Sequence, residues 1–255
     1  MHFKVITSVR NAAAWIERCM CSVMQQTHAD WEHVIVDDAS TDSTLARALT
    51  LRGYERNVRF RQTIIGQVHH QPSHLMNQCF AIDSCKPDED DIIVVLDGDD
   101  WLADENVLAR LDAIYTERNC LLTYGTPVLF RGGSLLEPCY PLRPYTGQVC
   151  TTGAFRAMPW AATHLRTFKY RLWKRIDQQR SFYLRNGQMV WCCVDFATMF
   201  PMLEMARERI FHVEHSMMVY NTVNPASFHN RMRREKILEV DAELRAQPKY
   251  DRVVF

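Results

Sequence analysis

The chain has 255 residues, 47% hydrophobic and 24% charged, which is ordinary for a folded protein and enough for a full core without disulfides or a structural metal. Lys plus Arg is 30 and Asp plus Glu is 30, so the formal net charge is zero, which argues against a nucleic-acid partner held by phosphate neutralisation. No apolar run approaches the ~18 to 20 residues of a spanning helix, so no transmembrane segment is predicted, and no signal peptide is read at the start. The nine cysteines are odd in number and lack CxxC pairs. They read as reduced thiols of a cytoplasmic protein, soluble or peripheral to a membrane.

Taken in chain order, the first half alternates strand and helix. Residues 3–8 form a β-rich run. From Ala12 to Gln26, apolar residues fall at spacings of three and four, one stripe of a helix. Residues 31–36 form the next strand, ended by Asp37 and Asp38. Ser40, Thr41 and Asp42 then offer an N-cap for a helix running to about Leu51. Residues 58–64 are a third strand and 73–82 a helix. Residues 91–96 are a continuous apolar run, suited to a central strand covered on both faces. Residues 104–115 are helical. This alternation predicts an α/β fold with a mostly parallel central sheet flanked by helices.

The second half is less regular. Residues 121–130 read as one strand, followed by a hairpin turn at 131–134. Residues 137–160 read as a long irregular loop. Residues 164–176 show helical spacing with many cations. Residues 194–206 form a helix carrying Asp195 near its start and Pro201 within it. Residues 210–213 and 217–220 are strands, and 231–245 a charged helix. No clean linker appears, so residues 1–255 are read as a single domain of two halves.

In parallel sheets ligands bind at the carboxyl ends of strands, which directs attention to Ser8, Asn11, Asp37, Asp38, Asp97, Asp99 and Asp100. Leu96-Asp97-Gly98-Asp99-Asp100-Trp101 is the sharpest feature. Three carboxylates so close repel unless something neutralises them, and a hard divalent cation does so with oxygen ligands. Gly98 is read as leaving room for a bulky ligand beside the backbone. The plainer alternative is a solvated acidic turn ahead of a helix. Asp37 and Asp38, at the end of another strand, could accept hydrogen bonds from a base or ribose, or simply belong to a turn and cap cluster.

These residues carry a resemblance. Residues 3–51, with Asn11, Gln25-Gln26-Thr27, Trp31-Glu32 and Val36-Asp37-Asp38-Ala39-Ser40-Thr41-Asp42-Ser43-Thr44, resemble the opening of a family 2 glycosyltransferase. Leu96-Asp97-Gly98-Asp99-Asp100-Trp101-Leu102 is similar to that family's DxD segment, and the likeness covers about residues 3–110. The resemblance implies a GT-A fold. Residues 1–110 would form the nucleotide-sugar-binding half, and 111–255 an irregular acceptor-binding C-terminal half. It implies a metal-dependent inverting transfer from a nucleoside-diphosphate donor, a UDP-sugar, to a glycan, lipid or protein hydroxyl.

By position, Ser8, with Thr7 sharing the role, and Asp38 would contact base and ribose. Asp97 would face the ribose or donor sugar, and Asp99 would bind Mn²⁺ or Mg²⁺ with Asp97 beside it. Arg166, in the segment His164-Leu165-Arg166-Thr167-Phe168-Lys169, would hold the diphosphate or shape the acceptor site. Asp195 would be the general base. Among late histidines that could reach the metal, His212, His215 and His229, the choice falls on His229.

The chain departs from the family at Val194, where an acid usually precedes the base, and at Met76, where Arg usually precedes Asn77. The phosphate contact of that Arg must come from elsewhere or be absent. Two alternatives stay open: a phosphohydrolase or phosphotransferase with Asp97 as nucleophile, and an inactive nucleotide- or glycan-binding module.

Overall fold

The computed structural model describes residues 1–52, 61–136, 144–225 and 234–254. In chain order the elements are β1 (Phe3–Val9), α1 (Ile16–Met24), β2 (Trp31–Asp37), α2 (Thr44–Arg52), β3 (Arg61–Gly66), α3 (His74–Ser84), β4 (Ile92–Val95), β5 (Trp101–Leu102) and α4 (Val107–Arg118). There follow β6 (Leu122–Gly125), β7 (Val128–Arg131), β8 (Ser134–Leu136), α5 (Gly147–Thr152), β9 (Arg166–Lys169), α6 (Tyr170–Trp173), α7 (Gln178–Ser181), α8 (Val194–Ala206), β10 (Ile210–Val213), β11 (Met218–Asn221) and α9 (Arg234–Arg245).

Seven strands form the main sheet in the order β10-β6-β9-β4-β1-β2-β3. β1 pairs in parallel with both β2 and β4, so the order reverses there and the carboxyl ends of β1, β2 and β4 open onto one crevice. The sheet is α/β and mostly parallel; β9 is the exception, antiparallel to β4 on one side and β6 on the other. β5, β11, β7 and β8 make a second, smaller sheet.

Period-two alternation sets the packing. Ile93 and Val95 face α3 and α8, with Leu75, Ile82, Phe200 and Leu203. Ile92 and Val94 face α1 and α4, with Cys19, Val23, Leu108, Leu111 and Tyr115. All four residues of β4 are buried, and each such side chain contributes about 1.5–3 kcal/mol of transfer free energy. This is the physical content of the apolar run read from sequence.

Three expectations need correction. Residues 121–130 are not one strand: β6 joins the main sheet and β7 the small one, divided at Thr126 and Pro127. Residues 164–176 begin as a strand, not a helix, because β4 and β6 offer ladder partners on both sides of β9; only residues 170–173 are helical. Within 144–160, α5 and a short 3-10 turn at Phe155–Ala157 replace irregular loop, while 137–143 lie outside the described residues. The hairpin at 131–134 is present, with Gly132 and Gly133 at φ 59° and 81°. α8 spans the residues read from sequence.

Candidate functional site

A cavity of about 670 Å³ lies over the carboxyl ends of β1, β2 and β4 and is closed on its far side by β9 and the start of α8. Ser8, Asp38, Asp97, Asp99, Arg166 and Asp195 all line it. Four of them end parallel strands, Arg166 comes from the antiparallel insertion, and Asp195 sits in the first turn of α8.

On the β2 side, Asp38 is buried and fully engaged. Its Oδ2 accepts from His70 Nδ1 at 2.7 Å, and its Oδ1 accepts from the Gln71 amide at 2.8 Å. Its backbone is fixed by the bond from its own N–H to the Val9 carbonyl. Ala39 follows at φ 50°, and Arg10 ties the turn by donating to the Asp38 and Ala39 carbonyls. Ser8 Oγ stands 2.8 Å from His74 Nδ1, and His74 Nε2 is 3.3 Å from Asp97 Oδ1. His74 thus bridges the ends of β1 and β4.

Thr7 lies on the opposite face of β1. Its hydroxyl is wholly buried against His33 Nε2 at 2.9 Å and does not line the cavity. Asp42 caps α2, accepting from the Thr44 amide at 2.9 Å.

The turn after β4 is held tightly. Asp100 is buried and accepts from the Asn221 amide at 2.8 Å, while Asn221 Nδ2 donates to the Asp99 carbonyl. Asp99 presents its carboxylate to the cavity, with Oδ2 accepting from Asn224 Nδ2 at 2.9 Å. Burial and the charge of Asp97 raise the pKa of Asp99. Burial and both neighbouring carboxylates raise that of Asp100 further. Burial also penalises Asp97, but the hydrogen bond and charge of His74, with His164 and Arg166, outweigh it and hold that carboxyl below the usual range. Gly98 has a cause other than the one read from sequence: a Cβ there would lie 2.4 Å from Val9 Cβ, so packing against β1 demands glycine.

Across the cavity Arg166 Nη1 is 3.5 Å from Asp195 Oδ2. Burial raises the Asp195 pKa, and Arg166 opposes this only in part. Cys193, the residue that caps α8, has φ 55° and starts the helix so that Asp195 falls in its first turn. Trp160 lines the same region, its ring 4.2 Å from that of Phe196.

Among the late histidines, His212 packs on Tyr124 and His215 is exposed beside Asp104; neither lines the cavity. His229 lies outside the described residues. The histidines that do reach the cavity are His70, His74 and His164, which the sequence reading missed. His70 and His74 follow the carboxyl end of β3, so the strand-end rule applied to that strand would have found them. His164 was hidden by its helical reading; its ring stacks on Tyr220 at 5.2 Å.

The description "Glycosyl transferase family 2" fits residues 4–134, just over half of the chain. The chain belongs to this family. Its architecture is that of the GT-A glycosyltransferases. The O-antigen biosynthesis protein RfbC of Myxococcus xanthus is 36% identical over 85 residues, 33% of this chain and 6% of that protein. The putative teichuronic acid biosynthesis glycosyltransferase TuaG of Bacillus subtilis (strain 168) is 52% identical over 40 residues, 16% of each. The matched stretches are thus a small part of either relative's length.

Among solved structures, S. aureus TarS 1-349 in complex with UDP-GlcNAc superposes with a TM-score of 0.66 at 16% identity, over 94% of this chain and 64% of that one. The mannosyltransferase PcManGT from Pyrobaculum calidifontis, in complex with GDP-Man and Mn²⁺, gives 0.60 at 15% identity, over 89% and 59%. No helix among the described residues is long and apolar enough to cross a membrane.

Proposed function

We propose that this chain is a metal-dependent inverting glycosyltransferase, moving a sugar from a UDP-sugar to an acceptor hydroxyl of a glycan, lipid or protein, with Asp195 as general base. The observation that carries the reading is the gathering of Asp97, Asp99 and Asp195 on one cavity at the switch point of a parallel sheet. TarS binding UDP-GlcNAc on a similar fold supports a nucleotide-sugar donor. Residues 1–110 then serve the donor and 111–255 the acceptor, within one domain. The cysteine usage suits a cytoplasmic site of action.

In this reading the nucleoside rests by Ser8 and the Asp38 turn, and Asp97 faces the ribose or donor sugar. Arg166 supplies a cationic group beside the diphosphate, in place of the Arg that Met76 replaces. The residues fit Mn²⁺ or Mg²⁺. Asp99 and Asp97 offer hard oxygens, and burial with the neighbouring Asp97 charge leaves the ionised Asp99 in need of a counter-charge. No group of three metal-ligating side chains occurs among the described residues, so donor phosphates and water would complete the shell. Such a cation, when bound, offsets negative charge growing on the leaving diphosphate.

Asp195 takes the proton of the acceptor hydroxyl as its oxygen attacks the anomeric carbon. The nucleoside diphosphate leaves from the opposite face, so one displacement inverts the centre. The burial that raises the Asp195 pKa makes it a stronger base than a solvated carboxylate. Asp97 as a phosphoryl nucleophile is less well supported, because His74 already engages it and the family is one of glycosyl transferases.

The test is calorimetric titration of UDP with and without Mn²⁺, together with NMR of the product anomer. Asp99→Asn is expected to lose the Mn²⁺-dependent part of UDP binding. Full transfer by that variant would overturn the metal assignment, and a product with the donor's anomeric configuration would overturn the single displacement.

A further inference from the structure

Asp38 is poorly placed to meet a nucleobase directly. Its side chain is 7% exposed, and its two oxygens are taken by His70 Nδ1 and the Gln71 amide. His70 is 56% exposed and lines the cavity. The loop that carries it is braced from below. Gln71 Nε2 donates to Gln67 Oε1 at 2.6 Å, and Gln67 Nε2 donates to Oδ1 of Asn77, buried on α3, at 2.8 Å. A carboxylate only accepts, so the proton shared between Asp38 and His70 sits on Nδ1. With the proton on Nδ1, the neutral form of the ring presents Nε2 as an acceptor. Among the described residues, nothing is hydrogen-bonded to that Nε2.

We propose that His70, oriented by Asp38, is the residue that reads the nucleobase: its Nε2 accepts the ring N3–H of uracil. Cytosine offers a lone pair at the same position, so two acceptors would face each other and the base is refused. Asp38 is then a positioning residue that sets the tautomer of His70. This inference rests on the cavity being a nucleoside-diphosphate site, as proposed above.

The test titrates UDP and CDP, in Mn²⁺, into the full chain as wild type, His70→Ala, Asp38→Asn and the double variant. Wild type should prefer UDP. His70→Ala should lose about tenfold in UDP affinity, the worth of one such bond. Asp38→Asn would donate its amide N–H to Nδ1 and move the ring proton to Nε2. UDP should then weaken and CDP strengthen, and the same substitution should change little once His70 is Ala.

UDP affinity unchanged or improved in His70→Ala overturns the inference, since that change would free Asp38 to meet the base itself. An equal effect of Asp38→Asn with and without His70 overturns it too. Should Asp38→Asn fail to fold, His70→Phe keeps an aromatic ring without the acceptor: lost UDP affinity supports the inference and retained affinity overturns it. Wild type that binds neither nucleotide instead overturns the parent reading of the cavity.

Discussion

On the strand-end side of the cavity, four carboxylates are each engaged by an amide or a histidine from a distant segment. Asp38 is held by His70 and Gln71, Asp97 by His74, Asp99 by Asn224 and Asp100 by the Asn221 amide. On the far side, Asp195 has the start of its own helix and one guanidinium at 3.5 Å. The first arrangement suits groups that must keep a fixed position. The second suits a group that must gain and lose a proton, because little else is disturbed when its charge changes.

Replacing Asp195 with Asn tests that contrast most severely. The expected loss in kcat is about 10²- to 10⁴-fold, the usual share of a general base, while UDP affinity stays within a factor of about two. An equal loss of binding would place Asp195 with the strand-end carboxylates and erase the distinction.

Arg166→Met sharpens it. Arg166 pulls the Asp195 pKa down against burial, so its removal leaves that pKa higher. A base must be ionised, and the rate therefore falls as pH drops through its pKa. The acid limb of the kcat profile should move to higher pH in the variant. On that limb, a move by one pH unit costs about tenfold in rate. A limb that stays in place would detach Arg166 from the base.

The smallest effect concerns stability and lies behind the strand-end side, on the opposite face of β1 and β2. Burial lowers the His33 pKa from 6.5 to about 3, so the folded chain keeps this ring neutral where the unfolded chain protonates it. The stability this provides is present above pH 6.5 and is lost as pH falls towards 3. His33→Gln should flatten the melting temperature between those limits, leaving the acid limb of the rate profile with Asp195. Calorimetric melts across that range check it.

Much of the strand-end side was legible in the sequence. β1, β2 and β4 fall within a few residues of the runs read from composition, and Asp38, Asp97 and Asp99 stand where those runs end. Each strand there is a local apolar signal followed at once by its polar residues, so motif and geometry coincide along the chain. α8 and Asp195 were readable for the same reason. Arg166 was located on the wrong element, because a four-residue strand between β4 and β6 takes its conformation from ladder partners far away in sequence. His70 and His74 were passed over because neither sits in a carboxylate motif.

The sequence by itself determined the parallel half of the sheet, the strand-end carboxylates and the helix that bears Asp195, since hydrophobic periodicity and short motifs are properties of neighbouring residues. Only the tertiary structure decided that β9 runs antiparallel through the sheet, that Gly98 answers to Val9, that Thr7 turns away from the cavity, and that His70 stands in front of Asp38. Those facts depend on which surfaces meet after the chain folds back on itself, and contacts such as those spanning 32 and 121 residues leave no local pattern to read.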